Sequence, residues 1–290
     1  MNDSDHTLRR ILVALDGSRP SEAALDVAAQ FAVLFNASLH GVFVEDEQLK
    51  RLARLPFHQE VRPLRRTAVP MSGPRLQRQL RAQAEAARRM LEDTARALRI
   101  EHSFAVRKGH VVGELLDAAA DTDLVTLGKT SSAQSSRQRL GRTTTALLER
   151  APAAVLILRD HGDHAPPVVT YFDGSAAARA ALRMAARLAH LMGHVPLKVL
   201  LPPGAPDETA TLREAVHDVY GEQRLLLDVH VLSRLEASRL PAVLHHAGGF
   251  AVLPDTLPQL RNRQRQLLYE LDRPVLIMRA PTSAPATDPS

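Results

Sequence analysis

Short apolar runs alternate along this chain with longer stretches in which apolar residues recur every three or four positions. The first run, Ile11 to Leu15, ends in Asp16-Gly17-Ser18 and reads as a buried strand followed by a helix cap. Leu25, Ala28, Ala29, Ala32 and Phe35 then recur at helical spacing, within a helix expected from Glu22 to Phe35. Ser38 to Val44 reads as a second strand. Residues 75–99 read as a long helix with Leu76, Leu80, Ala87, Leu91 and Leu98 on one face. Phe104–Val106, Leu124–Leu127 and Val155–Leu158 are expected as strands, Val112–Ala120 and Thr143–Arg150 as helices. Strands alternating with helices predict a doubly wound α/β domain, a parallel sheet with helices on both faces.

The pattern is written twice. ILVALDGS from Ile11 returns as VVTYFDGS from Val168, followed by a similar helical run from Ala178 to Met192. With no gap at an offset of 157, Asp16, Gly17, Ser18, Ala23, Ala24, Leu25, Ala28, Ala29, Ala32, Leu34 and Val42 fall on identical residues. Leu124–Leu127 matches Phe250–Leu253 at an offset of 126, and Val155–Arg159 matches Val275–Arg279 at 120. The anchors keep their order, so the expectation is a tandem duplication: a first domain over 8–160, a linker in 159–167 and a second domain over 166–280. The second copy lacks most of the stretch Glu45–Arg75 and has a shorter loop after its penultimate strand. In such sheets ligands bind beyond the carboxyl ends of the strands, so the residues that follow each strand are those to inspect.

Composition narrows the function. A chain of 290 residues is long enough for two domains with separate cores. No cysteine is present, which removes disulfides and thiolate chemistry. No apolar run approaches a membrane span and the first ten residues have no signal-peptide core, so a cytoplasmic protein is expected. The tail after Ala280 lacks apolar content and is expected to be disordered. The net charge of +5 invites a nucleic-acid reading. Yet arginines alternate with acids along the expected helices, as in Arg81, Glu85, Arg88, Glu92 and Arg96, the pattern of a solvated face. With aromatic residues at 3%, stacking platforms for single strands are not available, and no nucleic-acid partner is expected.

The loop from Leu127, LGKTSSAQSSRQRLGRTTTALL, places one glycine after a strand and another before a helix. Glycine there lets backbone N–H groups approach an anion, and a helix start adds a favourable dipole. The competing reading is a flexible polar connection with Thr143 or Thr144 capping the helix. Gly128-Lys129-Thr130 mimics the end of a Walker A loop, but Asp123 stands where the first glycine belongs, and no GxGxxG follows an expected strand. Histidines at His161 and His164, with Asp163, and at His245-His246 lack the frame a metal site needs. No nucleophile elbow occurs. Asp16 could assist hydrolysis of a bound nucleotide, but no base is identifiable. Leu49, Leu52 and Phe57 in the stretch Glu45–Arg75 suit either an amphipathic helix against a membrane or partner, or a lid or dimer element over the first domain.

Together ILVALDGS, ASLHGVFVED, VRKGHVVGELLDAAADTDLVTLG and ERAPAAVLIL carry a resemblance to the universal stress protein family in a tandem two-domain form, over nearly all of residues 8–280. The resemblance implies two Rossmann-like domains of the adenine nucleotide alpha hydrolase-like type. It also implies ATP or another adenine nucleotide, with or without Mg²⁺, as cofactor. The nucleotide-binding branch has a phosphate loop G-x2-G-x9-G-[ST], onto which Gly128, Ser131 and Gly141 fall in spacing. Ser131 replaces the second glycine, and Arg142 replaces the last hydroxyl residue, with Thr143 following. Arg142 could pair with phosphate or occupy the pocket itself. By the same resemblance Asp16 faces the nucleoside and the backbone near Val44 meets adenine. In the second copy Pro254 replaces the first glycine and no glycine follows before Arg279, so that copy reads as a degenerate packing partner. The implied role is stress response or regulation. The alternatives are a nucleotide-free scaffold acting through protein–protein contacts, and a weak ATPase. Pairing of the two domains within the chain, and a homodimer of chains, are further expectations.

Overall fold

The computed structural model describes residues 8–52, 59–61, 68–70, 73–128, 141–158, 167–220, 226–247, 249–257, 268, 271 and 273–280. Expectations for Ser131, the linker histidines and the tail therefore lie outside the described residues. Two compact units are present, one of residues Leu8–Gly128 with Glu149–Ala151, the other of residues 141–148 and 152 onward.

In the first unit the elements run β1 (Arg10–Ala14), α1 (Arg19–Phe35), β2 (Ser38–Asp46), α2 (Glu47–Leu52), β3 (Gln59–Val61), β4 (Ala68–Pro70), α3 (Gly73–Leu98), β5 (His102–Gly109), α4 (Val111–Ala119) and β6 (Leu124–Gly128). The sheet order is β6-β1-β2-β5, with β1 parallel to both β6 and β2, and β2 parallel to β5. Ile11, Leu12 and Val13 are fully buried because a parallel strand is covered on both faces. Helix α1 begins three residues earlier than its apolar pattern, since Ser18 caps it and Pro20 suits its first turn. Within the stretch Glu45–Arg75 the described residues form the end of β2, the short α2, the antiparallel pair β3–β4 and the start of α3, and Phe57 lies outside them. Asp123, the residue that breaks the Walker pattern, has a structural task. Its Oδ2 accepts the backbone N–H of both Arg9, at 2.8 Å, and Arg10, at 2.9 Å, and so fixes the entry of β1.

In the second unit α5 (Arg142–Arg150), for the most part, and β7 (Ala154–Leu158) precede β8 (Val168–Tyr171), α6 (Ala176–Leu191), β9 (Leu197–Leu201), α7 (Pro206–Tyr220), β10 (Leu227–Val231), α8 (Arg234–Ser238), α9 (Leu240–Ala247), β11 (Phe250–Pro254) and β12 (Val275–Met278). Its sheet order is β10-β9-β8-β11-β12-β7. The pairing of β12 with β7, the closing strands of the two sequence repeats, is antiparallel, with Leu276 opposite Leu156. A continuous apolar run fixes burial of a strand but not its partner or direction.

Strand registers test the duplication. Ile11 pairs with Leu124, and its counterpart Val168 pairs with Phe250, so the offsets of 157 and 126 agree. The match of Val42 to Val199 does not hold. Val42 pairs with Ala14, whereas Tyr171, the counterpart of Ala14, pairs with Leu200. The second copy carries one extra residue in the turn after its helix. Ala37 N–H bonds back to the Ala32 carbonyl across five positions, while Val195 N–H reaches the equivalent Ala189 carbonyl across six. A one-residue shift turns side chains to the opposite face, but both faces are buried here, so the sequence identity could not reveal it.

Each copy buries one threonine where the other has valine. Thr126 lies opposite Val13, and Thr170 lies opposite Val252, with both hydroxyls buried and without a partner among the described residues. Replacing an unpaired buried hydroxyl by a methyl of the same shape removes its desolvation penalty. Thr126→Val and Thr170→Val are each expected to raise stability by about 1 kcal/mol. Urea midpoints at constant slope check this.

Candidate functional site

The carboxyl edge of the first sheet is formed where β1, β2, β5 and β6 end, and three of the sequence candidates stand there. After β1 the chain turns through Asp16 and Gly17, the latter at φ +75°. Asp16 Oδ1 accepts the Ser18 N–H at 2.9 Å, and the Ser18 hydroxyl oxygen in turn accepts the Ser21 N–H at 3.4 Å. The second copy repeats this arrangement: Asp173 Oδ1 accepts the Ser175 N–H at 3.0 Å, and Gly174 has φ +80°. Asp16 therefore shapes a turn as well as standing exposed at the strand end.

Val44 lies near the end of β2, half-buried, in register with Arg107. Its neighbour Glu45 is 7% exposed and is met by the Lys50 ammonium at 2.5 Å. Helix α2 supplies that lysine, which holds a carboxylate at the sheet edge where it would otherwise be stranded. Lys50→Met is expected to cost about 2 kcal/mol, below the range for fully buried pairs because Lys50 keeps 25% of its side chain in water. Glu45→Gln in the same background should restore most of the loss, as read from urea denaturation.

Gly128 ends β6. A methyl group built on it would lie 2.2 Å from the Pro20 carbonyl oxygen, so no side chain fits between β6 and the start of α1. The candidate loop thus leaves the sheet with its backbone against the first turn of a helix. Ser131 is outside the described residues. Gly141, Arg142 and Thr143 belong to the other unit, where Gly141 precedes α5 and Arg142 opens it. The helix starts one residue earlier than expected, so Thr143 and Thr144 lie inside its first turn and neither occupies the cap; Thr144 is 3% exposed. With glycine immediately before the helix, the cap position itself supplies no side chain to the free N–H groups of that turn.

The edge of the second copy is closed by its own residues. Pro254 ends β11, and Thr256 places its hydroxyl 3.1 Å from that of Ser175, the cap of α6. Arg279 was not singled out from the sequence. Its guanidinium donates to the Leu148 carbonyl at 2.5 Å and the Ala153 carbonyl at 3.3 Å, and pairs with Asp255 at 3.6 Å. Burial pulls its pKa down and Asp255 opposes that. The sequence signal was an arginine closing the apolar run at the end of each copy. Among the described residues no group of three metal-ligating side chains is gathered and no helix is long and apolar enough to cross a membrane.

A family model described as "Universal stress protein family" matches residues 7–159. The chain belongs to the universal stress protein family. No curated protein sequence matches it. Among solved structures, a universal stress protein from Archaeoglobus fulgidus has a TM-score of 0.71 at 17% identity, covering 93% of this chain and 98% of that one. A functionally unknown protein from Pseudomonas aeruginosa has a TM-score of 0.64 at 14% identity, covering 96% and 95%. A universal stress protein solved in complex with cAMP has a TM-score of 0.38 at 20% identity, covering 53% of this universal stress protein and 99% of that chain. The first two of these structures show the fold.

Proposed function

We propose that this universal stress protein binds ATP or another adenine nucleotide in its first repeat, 8–160, and acts as a regulator whose occupancy is sensed by other components during stress. Support comes chiefly from Gly128. Its backbone packs against Pro20 so that the loop carrying the family's phosphate spacing leaves the sheet at the start of a helix, with the Asp16 turn beside that helix in the chain. The proposed contacts are Asp16 to the nucleoside, the backbone near Val44 to adenine, and Gly128, Ser131, Gly141, Arg142 and Thr143 to the phosphates. The glycine cap of α5 leaves N–H donors for an anion, and the Arg142 guanidinium adds charge. The second repeat, 166–280, lacks the glycines and ties its strand end to its own helix cap, which supports one site per chain.

Calorimetric titration of Mg-ATP into the full chain tests this reading. One site per chain is expected, lost in Gly141→Glu. Asp16→Asn keeps an oxygen for the Ser18 N–H while removing the charge, so it should weaken nucleotide binding about tenfold, the value of roughly 1.4 kcal/mol, with unchanged thermal stability. A scaffold that binds no nucleotide is the second reading. It is favoured by one observation, that Asp16 makes the same turn as Asp173 in the copy without a phosphate loop. No heat, and no nucleotide released on denaturing the purified protein, would replace the first reading with the second.

A further inference from the structure

The second unit contains a groove of about 450 Å³ that shares no lining residue with the candidate site above. Its origin is legible in the sequence. In the first copy a single helix, α4, follows β5, whereas the corresponding stretch after β10 is broken into α8 and α9. Pro241 has no N–H to give to the Ala237 carbonyl, and the helix breaks at Arg239, with φ −115° and ψ 30°. The break parts the two helices over the outer strands β9 and β10 and leaves a hollow that Lys198, His230, Leu235, Glu236, Arg239 and Val243 help to line.

The floor also differs from that of the first copy. There the facing pair on the two outer strands is His40 and Ser103, whose Nδ1 and Oγ are 2.5 Å apart. Burial lowers the His40 pKa, helped by Arg10 and Arg107, so that floor favours a neutral ring. In the second copy the same register position holds Lys198 and Asp228, 3.7 Å apart, with Asp228 two-thirds exposed. The one carboxylate among the described residues that line the hollow is already committed. Glu236 Oε2 accepts the Ser233 N–H at 2.8 Å in a capping box, and Oε1 meets His230 Nε2 at 3.2 Å. These contacts, the Ser233 backbone first, hold its pKa down to about 2, so it stays ionised and bound to its donors. Arg239 has no acidic partner among the described residues, and Leu235, 63% exposed, and Val243 give the hollow an apolar wall.

We propose that this groove binds a small organic anion with a short aliphatic body, its charge between the Lys198 ammonium and the Arg239 guanidinium and its carbons against Leu235 and Val243. The groove is large enough to admit a carboxylate of about four to six carbons, and its few hydrogen-bonding groups and apolar wall are those of small-molecule sites generally. The site belongs to the second copy alone, because the helix break and the lysine occur only there. It makes that copy a ligand-binding domain of a different kind, and this inference does not rest on nucleotide binding by the first.

Titration of sodium butyrate into the ¹⁵N-labelled full chain tests it, with the His230 ring and the Val243 amide as reporters. Saturable shifts with a Kd on the order of 1 mM are expected for so small a ligand. Lys198→Gln and Arg239→Gln, both at solvent-accessible positions, should each weaken binding at least about fivefold and together abolish it, with the remaining spectrum unchanged. Equal shifts from n-butanol would overturn the proposal, because the anion would then have no role. Shifts retained in the double variant, or saturation by inorganic phosphate with no response to butyrate, would overturn it too.

Discussion

Gly128→Val is expected to destabilise the first unit by at least about 3 kcal/mol, enough to leave much of the expressed chain misfolded at 37 °C. The reason is the identity of the obstacle. The methyl carbon would meet the carbonyl oxygen and carbon of Pro20 at 2.2 and 2.4 Å, and these are backbone atoms that cannot rotate aside. Either β6 or the first turn of α1 must move, and α1 is fixed there by the Ser18 cap and the Asp16 turn. Gly113 in α4 is the control, since nothing lies within 4 Å of a methyl built on it. Gly113→Ala should stabilise by about 0.5–1 kcal/mol through helix propensity alone. Urea denaturation of both variants, followed by circular dichroism, decides the matter. If Gly128→Val unfolds at the wild-type midpoint, the close approach of β6 to α1 is wrong.

Arg279→Met should cost about 2–3 kcal/mol, the next largest effect. Loss of the guanidinium leaves the Leu148 carbonyl, in the last turn of α5, and the Ala153 carbonyl, just before β7, without their donor, and leaves Asp255 without its cation. Helix C-termini carry free carbonyls that a cation satisfies twice over, by hydrogen bonding and by the sign of the dipole. Arg279→Lys should recover less than half of the loss, because an ammonium cannot present several donors in a fixed plane to three acceptors. Hydrogen exchange at the Leu147 and Leu148 amides should accelerate in Arg279→Met together with the fall in urea midpoint. A loss of stability with unchanged exchange in α5 would place the role of Arg279 elsewhere.

Both residues illustrate how the fold was and was not legible. The strands and helices follow from periodicity because burial acts on each segment locally: an apolar run such as Ile11–Val13 is buried whichever strands flank it. The turn Asp-Gly-Ser makes the same bonds at both places where it is written because one set of backbone angles requires it. The candidate residues Asp16, Val44 and Gly128 could be located from the rule that strand ends carry sites, and the structure has them at one edge of one sheet. A second demand on Gly128 was not legible. Sequence reasoning assigns its missing side chain to the approach of an anion, and the structure adds the approach of Pro20, a residue more than a hundred positions away.

The sequence by itself determined the α/β class, most of the element types and the absence of glycine between Gly249 and Arg279, all of which are properties of residues near one another in the chain. Only the tertiary structure decided that β7 pairs antiparallel with β12, that Glu45 is held by Lys50, that Arg279 caps α5, and that the helix break at Arg239 opens a groove. These depend on partners chosen across the sheet. A side chain's hydrogen-bonding capacity is written in its chemistry, but the atom that satisfies it is set by register and packing, which no local pattern encodes.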